Sequence, residues 1–149
     1  MKKHSLIVGM ILVLLMGIIV WFVVLSKKPT AIINGQSFTL YVAKTQKEKE
    51  IGLSKYNKLP QNMGMIFIFD KPGSYNFWMR NMKFPIDILF IKDGLTTTIY
   101  RNAEKPKDQN QNLFVYQPKF PIDKVLEISA GLSEKYNIKE GNTIKFKNL

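Results

Sequence analysis

The chain has 149 residues, 22 basic against 11 acidic side chains and no cysteine, giving a formal net charge of +11. That length suits one domain, and the missing cysteine excludes disulfides, lipid attachment at cysteine and thiol chemistry. The only histidine is His4, so Ser-His catalysis, Cys-His catalysis and a histidine-containing zinc site are also excluded from the body of the chain.

Residues 1–5 form a short basic tail. From Leu6 to Leu25 there is no charge and no proline, and at a helical rise of about 1.5 Å per residue this run spans the roughly 30 Å of a bilayer's hydrocarbon core. Lys2 and Lys3 bound it on one side and Lys27 and Lys28 on the other, with Trp21 and Phe22 near its end, where aromatic side chains favour the headgroup region. The competing reading is a cleaved signal peptide, but the run is longer than the usual apolar region, and Lys27, Lys28 and Pro29 make a poor cleavage site. The expectation is an uncleaved single-pass anchor in the cell membrane. The tail stays in the cytoplasm, a linker covers 26–30, and the domain at 31–149 lies outside. Flanking charges are nearly balanced, so this orientation rests on the short tail. Setting aside the four flanking lysines leaves 18 basic against 11 acidic residues. The bias suits anionic surroundings, although the lysines are scattered rather than grouped.

Asn34-Gly35 predicts a hairpin turn, and Phe38, Leu40 and Val42 alternate with Thr39 and Tyr41 as in a strand with one buried face. Thr45 and Glu48 have the spacing of a capping box, opening a helix expected to end near Leu53. Met63 to Asp70 reads as an apolar strand, Lys71 to Ser74 as a turn and Tyr75 to Met79 as the return strand. Ile86 to Ile91 is a further strand, turned at Asp93-Gly94 into LTTTIYRN. Glu104 to Asn112 reads as a mobile loop. Near the end come a strand over Lys124 to Ile128, a short helix from Ser129 or Ala130 to Asn137, and a strand over Thr143 to Phe146. These elements predict a single, mainly antiparallel β domain with two short helices, either a sandwich or a partly closed barrel.

Three stretches carry a family likeness. Gly52-Leu53, Gly64-Met65 and the run FWMRNMKFPID over 77–87 resemble the uncharacterised bacterial and archaeal family catalogued as domain of unknown function 192. Leu126-Glu127, Gly131 and Gly141 continue that pattern. Arg80 stands where the family more often has lysine, Ile51 where a basic residue often occurs, and Asn142 where Asp is usual. The resemblance implies a small β fold, often exported, and implies no activity.

Chemistry is therefore sought in the residues themselves. Asp87 and Glu127 are charges inside apolar strands, which are costly to bury without a partner. One reading makes them structural, paired with Arg80, Lys83, Arg101 or backbone N–H groups, or simply facing outward. A second gathers Trp78, Arg80, Asn81 and Asp87 around a ligand pocket with Met79, Met82 and Phe84 as apolar walls. A third makes Asp87 and Glu127 the acid and base of a hydrolase. No Gly-rich phosphate loop occurs, and neither a cofactor nor a metal is expected. The aromatics alternate inside apolar strands, so nucleic acid is not expected either. The reading is a membrane-anchored binding or accessory module, more an interaction domain than an enzyme. Its partner is an unknown ligand or exported protein.

Overall fold

The computed structural model describes residues 10–17, 21, 27–108 and 113–149. Of the expected anchor, 10–17 and Trp21 are helical, and the rest lies outside the described residues, as do 109–112 of the expected loop. No helix among the described residues is long and apolar enough to cross a membrane.

Among the described residues seven strands form one sheet. They are β1 (Thr30–Ile33), β2 (Gln36–Ala43), β3 (Met63–Gly73), β4 (Ile86–Lys92), β5 (Leu95–Ala103), β6 (Ile122–Ser129) and β7 (Lys145–Lys147). Their order is β5-β4-β6-β3-β2-β1-β7. Among the described residues from Lys27 onward there are two short helices, α1 (Gln46–Ile51), continued by a 3-10 turn (Gly52–Lys55), and α2 (Leu132–Lys135). The expected helices are thus real but shorter at both places.

Both hairpins turn where Asn-Gly and Asp-Gly predict. Asn34 and Gly35 have φ of 47° and 78°, and Asp93 and Gly94 have 51° and 79°, the paired positive values that a tight hairpin turn requires. All strand pairs are antiparallel except β2 with β3, where Thr39 to Ala43 run alongside Met63 to Phe67. A parallel pair needs a crossover, and residues 44–62 supply it, carrying α1 over one face of the sheet.

The two outer strands approach each other at one end. Leu95 bridges Thr143, with Thr96 N–H donating to the Asn142 carbonyl at 3.0 Å and Ile144 N–H to the Gly94 carbonyl at 2.8 Å. The sheet is therefore a curled half-barrel, and of the two expected architectures the sandwich is wrong. One buried cluster draws on β1, β2, β3, β4 and β6 and includes Ile33, Phe38, Ile66, Leu89, Leu126 and Ile144, with Leu132 of α2 packed into it and the half-buried Ile99 of β5 and Phe146 of β7 against it. It fills the concave side. The second cluster includes Met65, Phe67, Ile88, Phe90 and Val125. It lies on the convex side, under the crossover and the segment that follows β3.

One other expectation fails. The turn at Lys71 to Ser74 and the return strand at Tyr75 to Met79 do not form as a hairpin. β3 instead runs through Pro72 to Gly73, and beyond it only Phe77 makes a bridge, to Tyr116. β3 is paired along its first half with β2 and β6, but past Ile68 its register breaks before Gly73 meets Ile122. Pro72, which has no N–H to give a ladder, is tolerated in that loosened stretch.

Candidate functional site

A cleft of about 520 Å³ opens on the convex face. Three pieces of chain wall it, and β6 adds Glu127. The first is α1, started by the capping box: Glu48 N–H donates to Thr45 Oγ1 at 3.3 Å, and Glu48 Oε2 accepts from Thr45 N–H at 2.9 Å and Lys44 N–H at 3.0 Å. These bonds hold the Glu48 carboxyl below its ordinary pKa. The helix ends at Gly52, whose φ of 50° turns the chain, and a Cβ there would sit 3.4 Å from the Phe67 ring. Glycine thus lets α1 and its 3-10 turn lie close over the aromatic floor.

The second piece is β3. Period-2 alternation sends Met65, Phe67 and Phe69 to the convex face. Phe69 stacks on Tyr75 at 3.7 Å between ring centroids, and Lys49 of α1 holds its ammonium 4.7 Å from the Phe69 ring centre. The third piece is the irregular segment from Tyr75 to Met82. Two backbone hydrogen bonds between Phe77 and Tyr116, of 2.9 and 2.8 Å, fasten it. Phe77 is thereby set at right angles to Phe67 and to Phe90, at 5.0 and 5.7 Å. Trp78, its neighbour, faces out and is 51% exposed. The Arg80 guanidinium lies 5.7 Å from the Trp78 ring centre, within cation–π range.

Glu127 lines this cleft. It lies on β6 between Met65 of β3 and Ile88 of β4, is only 6% exposed, and has no hydrogen-bond or ion-pair partner among the described residues. Burial alone pushes its carboxyl up to about 8, because the desolvated site penalises the charged form. β6 can bring it so close to β3 because Gly64 has no side chain: a Cβ there would meet the Glu127 carbonyl at 2.9 Å.

Asp87 is elsewhere. It is fully buried and lies on the concave face with Leu89 and Ile91. One oxygen accepts from Asn102 N–H at 2.8 Å and Gly131 N–H at 3.2 Å, and the other from Ser133 N–H at 2.8 Å. It ties the end of β5 to the start of α2 through three backbone N–H groups.

The four residues expected around one pocket are therefore divided. Trp78 and Arg80 line the cleft, Asp87 lies across the sheet from it, and Asn81 occupies an exposed turn at φ 59° outside the lining. The proposed acid–base pair also separates. Asp87 is paired with Ile128, and Ile88 with Glu127, so the two carboxyls leave the sheet on opposite faces and cannot flank one substrate bond. The sequence reading missed Glu127 as a cleft residue together with Phe67, Phe69, Tyr75 and Lys49. The alternating Met65, Phe67, Phe69 and Val125, Glu127 sets carried that signal, had the β3–β6 pairing been known. Among the described residues no group of acidic or histidine side chains is arranged to hold a metal ion.

The family model for DUF192, described as an uncharacterised ACR, matches residues 30–146. The chain belongs to the DUF192 family. Two solved structures resemble this DUF192 domain. A protein of unknown function from Novosphingobium aromaticivorans is 30% identical with a TM-score of 0.70, over 79% of this chain and 83% of that one. A protein described as a putative transcription regulator from Sinorhizobium meliloti is 25% identical with a TM-score of 0.72, over 82% of this chain and 94% of that one. Comparison with curated proteins gives no match.

Proposed function

We propose that this DUF192 protein is a membrane-anchored binding module, with its domain on the outer side of the cell membrane and its ligand held in the cleft over Glu127. The observation that carries the binding reading is Glu127 itself, a buried carboxyl without a partner, lining an open cleft with aromatic walls. A carboxyl that served only the fold would be expected to find partners, as Asp87 does with three backbone N–H groups, because an unpaired buried polar group costs stability. A few polar groups set in an apolar, mostly pre-formed concavity are the usual make-up of a small-molecule site. Trp78 and Arg80 extend it to the surface, where they meet the ligand first.

The anchor and the outward placement rest on the sequence. The run from Leu6 to Leu25 is uncharged, long enough to span, and preceded by a very short basic tail. The occupant is then a small molecule of the envelope or a protruding group of an exported protein.

Two experiments test this reading. A reporter active only outside the cytoplasm, fused after Leu149, gives activity in a full-length membrane product. A full-length fusion that is made but shows no activity refutes the topology. For binding, Trp21→Phe leaves Trp78 as the sole tryptophan, since the chain has two. Its fluorescence, in the full chain in maltoside micelles, is followed against a set of small amines, acids, sugars and aromatic alcohols. Saturable changes lost on Phe77→Ala are expected for at least one compound class, and no saturable change with any of them refutes the cleft as a binding site.

A further inference from the structure

We infer that the cleft recognises an ammonium group, which enters between the aromatic walls and pairs with the Glu127 carboxylate. The inference rests on the binding reading above and deepens it by naming the ligand's chemistry. Three features point the same way. Glu127 presents two oxygens at a buried position and meets no cation of the protein: Lys49, Lys71 and Arg80 also line the cleft, yet none lies within ion-pair distance of it. The cleft that Glu127 lines is walled by the rings of Phe67, Phe69, Tyr75, Phe77 and Trp78. Aromatic faces attract cations and repel anions, and an aromatic enclosure is a recurrent way to hold an ammonium ion. The mouth already shows this preference in the protein's own side chains, with Lys49 over Phe69 at 4.7 Å and Arg80 over Trp78 at 5.7 Å. An anion would have to displace both effects and bury its charge against a carboxyl.

The charge on Glu127 makes the pairing dependent on pH. Burial holds the carboxyl protonated until about pH 8, and only the ionised form pairs with a cation, so binding releases a proton. Affinity for an ammonium therefore rises by about tenfold per pH unit below that value and levels off above it. The other charged or titratable groups that line the cleft are Lys49 and Glu50 of α1, Asp70 and Lys71 of β3, and Tyr75 and Arg80 beyond it. They carry both signs, so the mouth does not impose a single one.

Choline is the probe, because its quaternary ammonium does not titrate, and 3,3-dimethylbutanol is its neutral isostere. Both are titrated into the full chain in maltoside micelles, which contain no ammonium headgroup, and the Met82 methyl at the cleft is followed by NMR. At pH 9 choline is expected to bind at least tenfold more tightly than the alcohol, to weaken about a hundredfold by pH 6, and to lose its advantage in Glu127→Gln. That variant keeps the side chain's shape, and an unchanged methyl spectrum away from the cleft reports that it is folded. Equal binding of choline and the alcohol, or choline binding unchanged in Glu127→Gln, overturns the ammonium assignment and leaves the cleft a binding site of another kind. No binding of choline while another compound class moves Trp78 fluorescence also overturns this inference alone. No binding by any compound overturns both.

Discussion

Replacing Glu127 by Gln removes a titrating group from the cleft at almost no change in volume, and it is expected to take away most of the domain's pH-dependent stability between about pH 5 and 8.5. In the unfolded chain the carboxyl titrates near its ordinary value of 4.5, and in the folded chain near 8. Below 4.5 it is neutral in both states and costs nothing on this account. As the pH rises, the unfolded chain loses its proton first, so folding is progressively disfavoured until the folded carboxyl also ionises near 8. At about 1.4 kcal/mol per pKa unit, the full loss is roughly 5 kcal/mol, and most of it falls within this window. Other shifted groups act outside it. Glu48, Asp123 and Glu140 are held below their ordinary values, so their stabilisation is lost as the pH falls through the acid range. Tyr41 and Tyr116 are raised above 10 and act in strong alkali. The assay is thermal unfolding of the full chain in micelles at pH 5 and pH 8.5, followed by far-UV circular dichroism. The native protein should lose on the order of 15 °C between the two conditions, taking roughly 4 °C per kcal/mol for a domain of this size. Glu127→Gln should lose only a few degrees. Parallel decline of the two proteins would refute the reasoning, because Glu127 would then titrate at its ordinary value.

Asp87→Ala strands three backbone donors and should cost about 3 kcal/mol or more in thermal unfolding, while leaving ligand affinity at the cleft unchanged, since the two sites lie on opposite faces of the sheet. Gly64→Ala forces a Cβ to within 2.9 Å of the Glu127 carbonyl and 3.1 Å of Leu126 Cδ1. It should cost about 1–3 kcal/mol by the same assay and also disturb the Met65 methyl resonance beside Glu127. Thr45→Ala breaks the capping box and should cost about 1 kcal/mol, with faster amide exchange confined to residues 46–51. Trp78→Ala is expected to weaken binding several-fold without lowering the unfolding temperature, because the ring is 51% exposed; a large loss of stability would mean that the ring serves the fold.

Local chemistry was legible where it depends on neighbouring residues. The Asn34-Gly35 and Asp93-Gly94 turns, the Thr45–Glu48 cap and the apolar strands around Ile66 and Leu89 could all be read from the chain. What could not be read depends on which strands meet. Nothing near β2 says that it runs parallel to β3, and that pairing is what sends α1 across the convex face. Lys71-Pro72-Gly73 has the composition of a turn, but the strand continues through it. The aromatic order of Tyr75 to Met79 suggested a strand, and its rings are instead spent on covering the sheet. Asp87 and Glu127 looked alike as charges in apolar strands. Their difference lies in register, which gave Asp87 three donors and Glu127 none.

Binding at the cleft turns on the protonation state of Glu127, and that can be observed directly. Carbon-13 labelling of the glutamate side chains, with Glu127→Gln to assign the resonance, allows the carboxyl shift to be followed from pH 3 to pH 10 in the full-length protein. A midpoint near 8, moving down when choline is added, is the predicted result. A midpoint near 4.5, unmoved by choline, would mean that the carboxyl is solvated or already partnered and would contradict the site proposed for it.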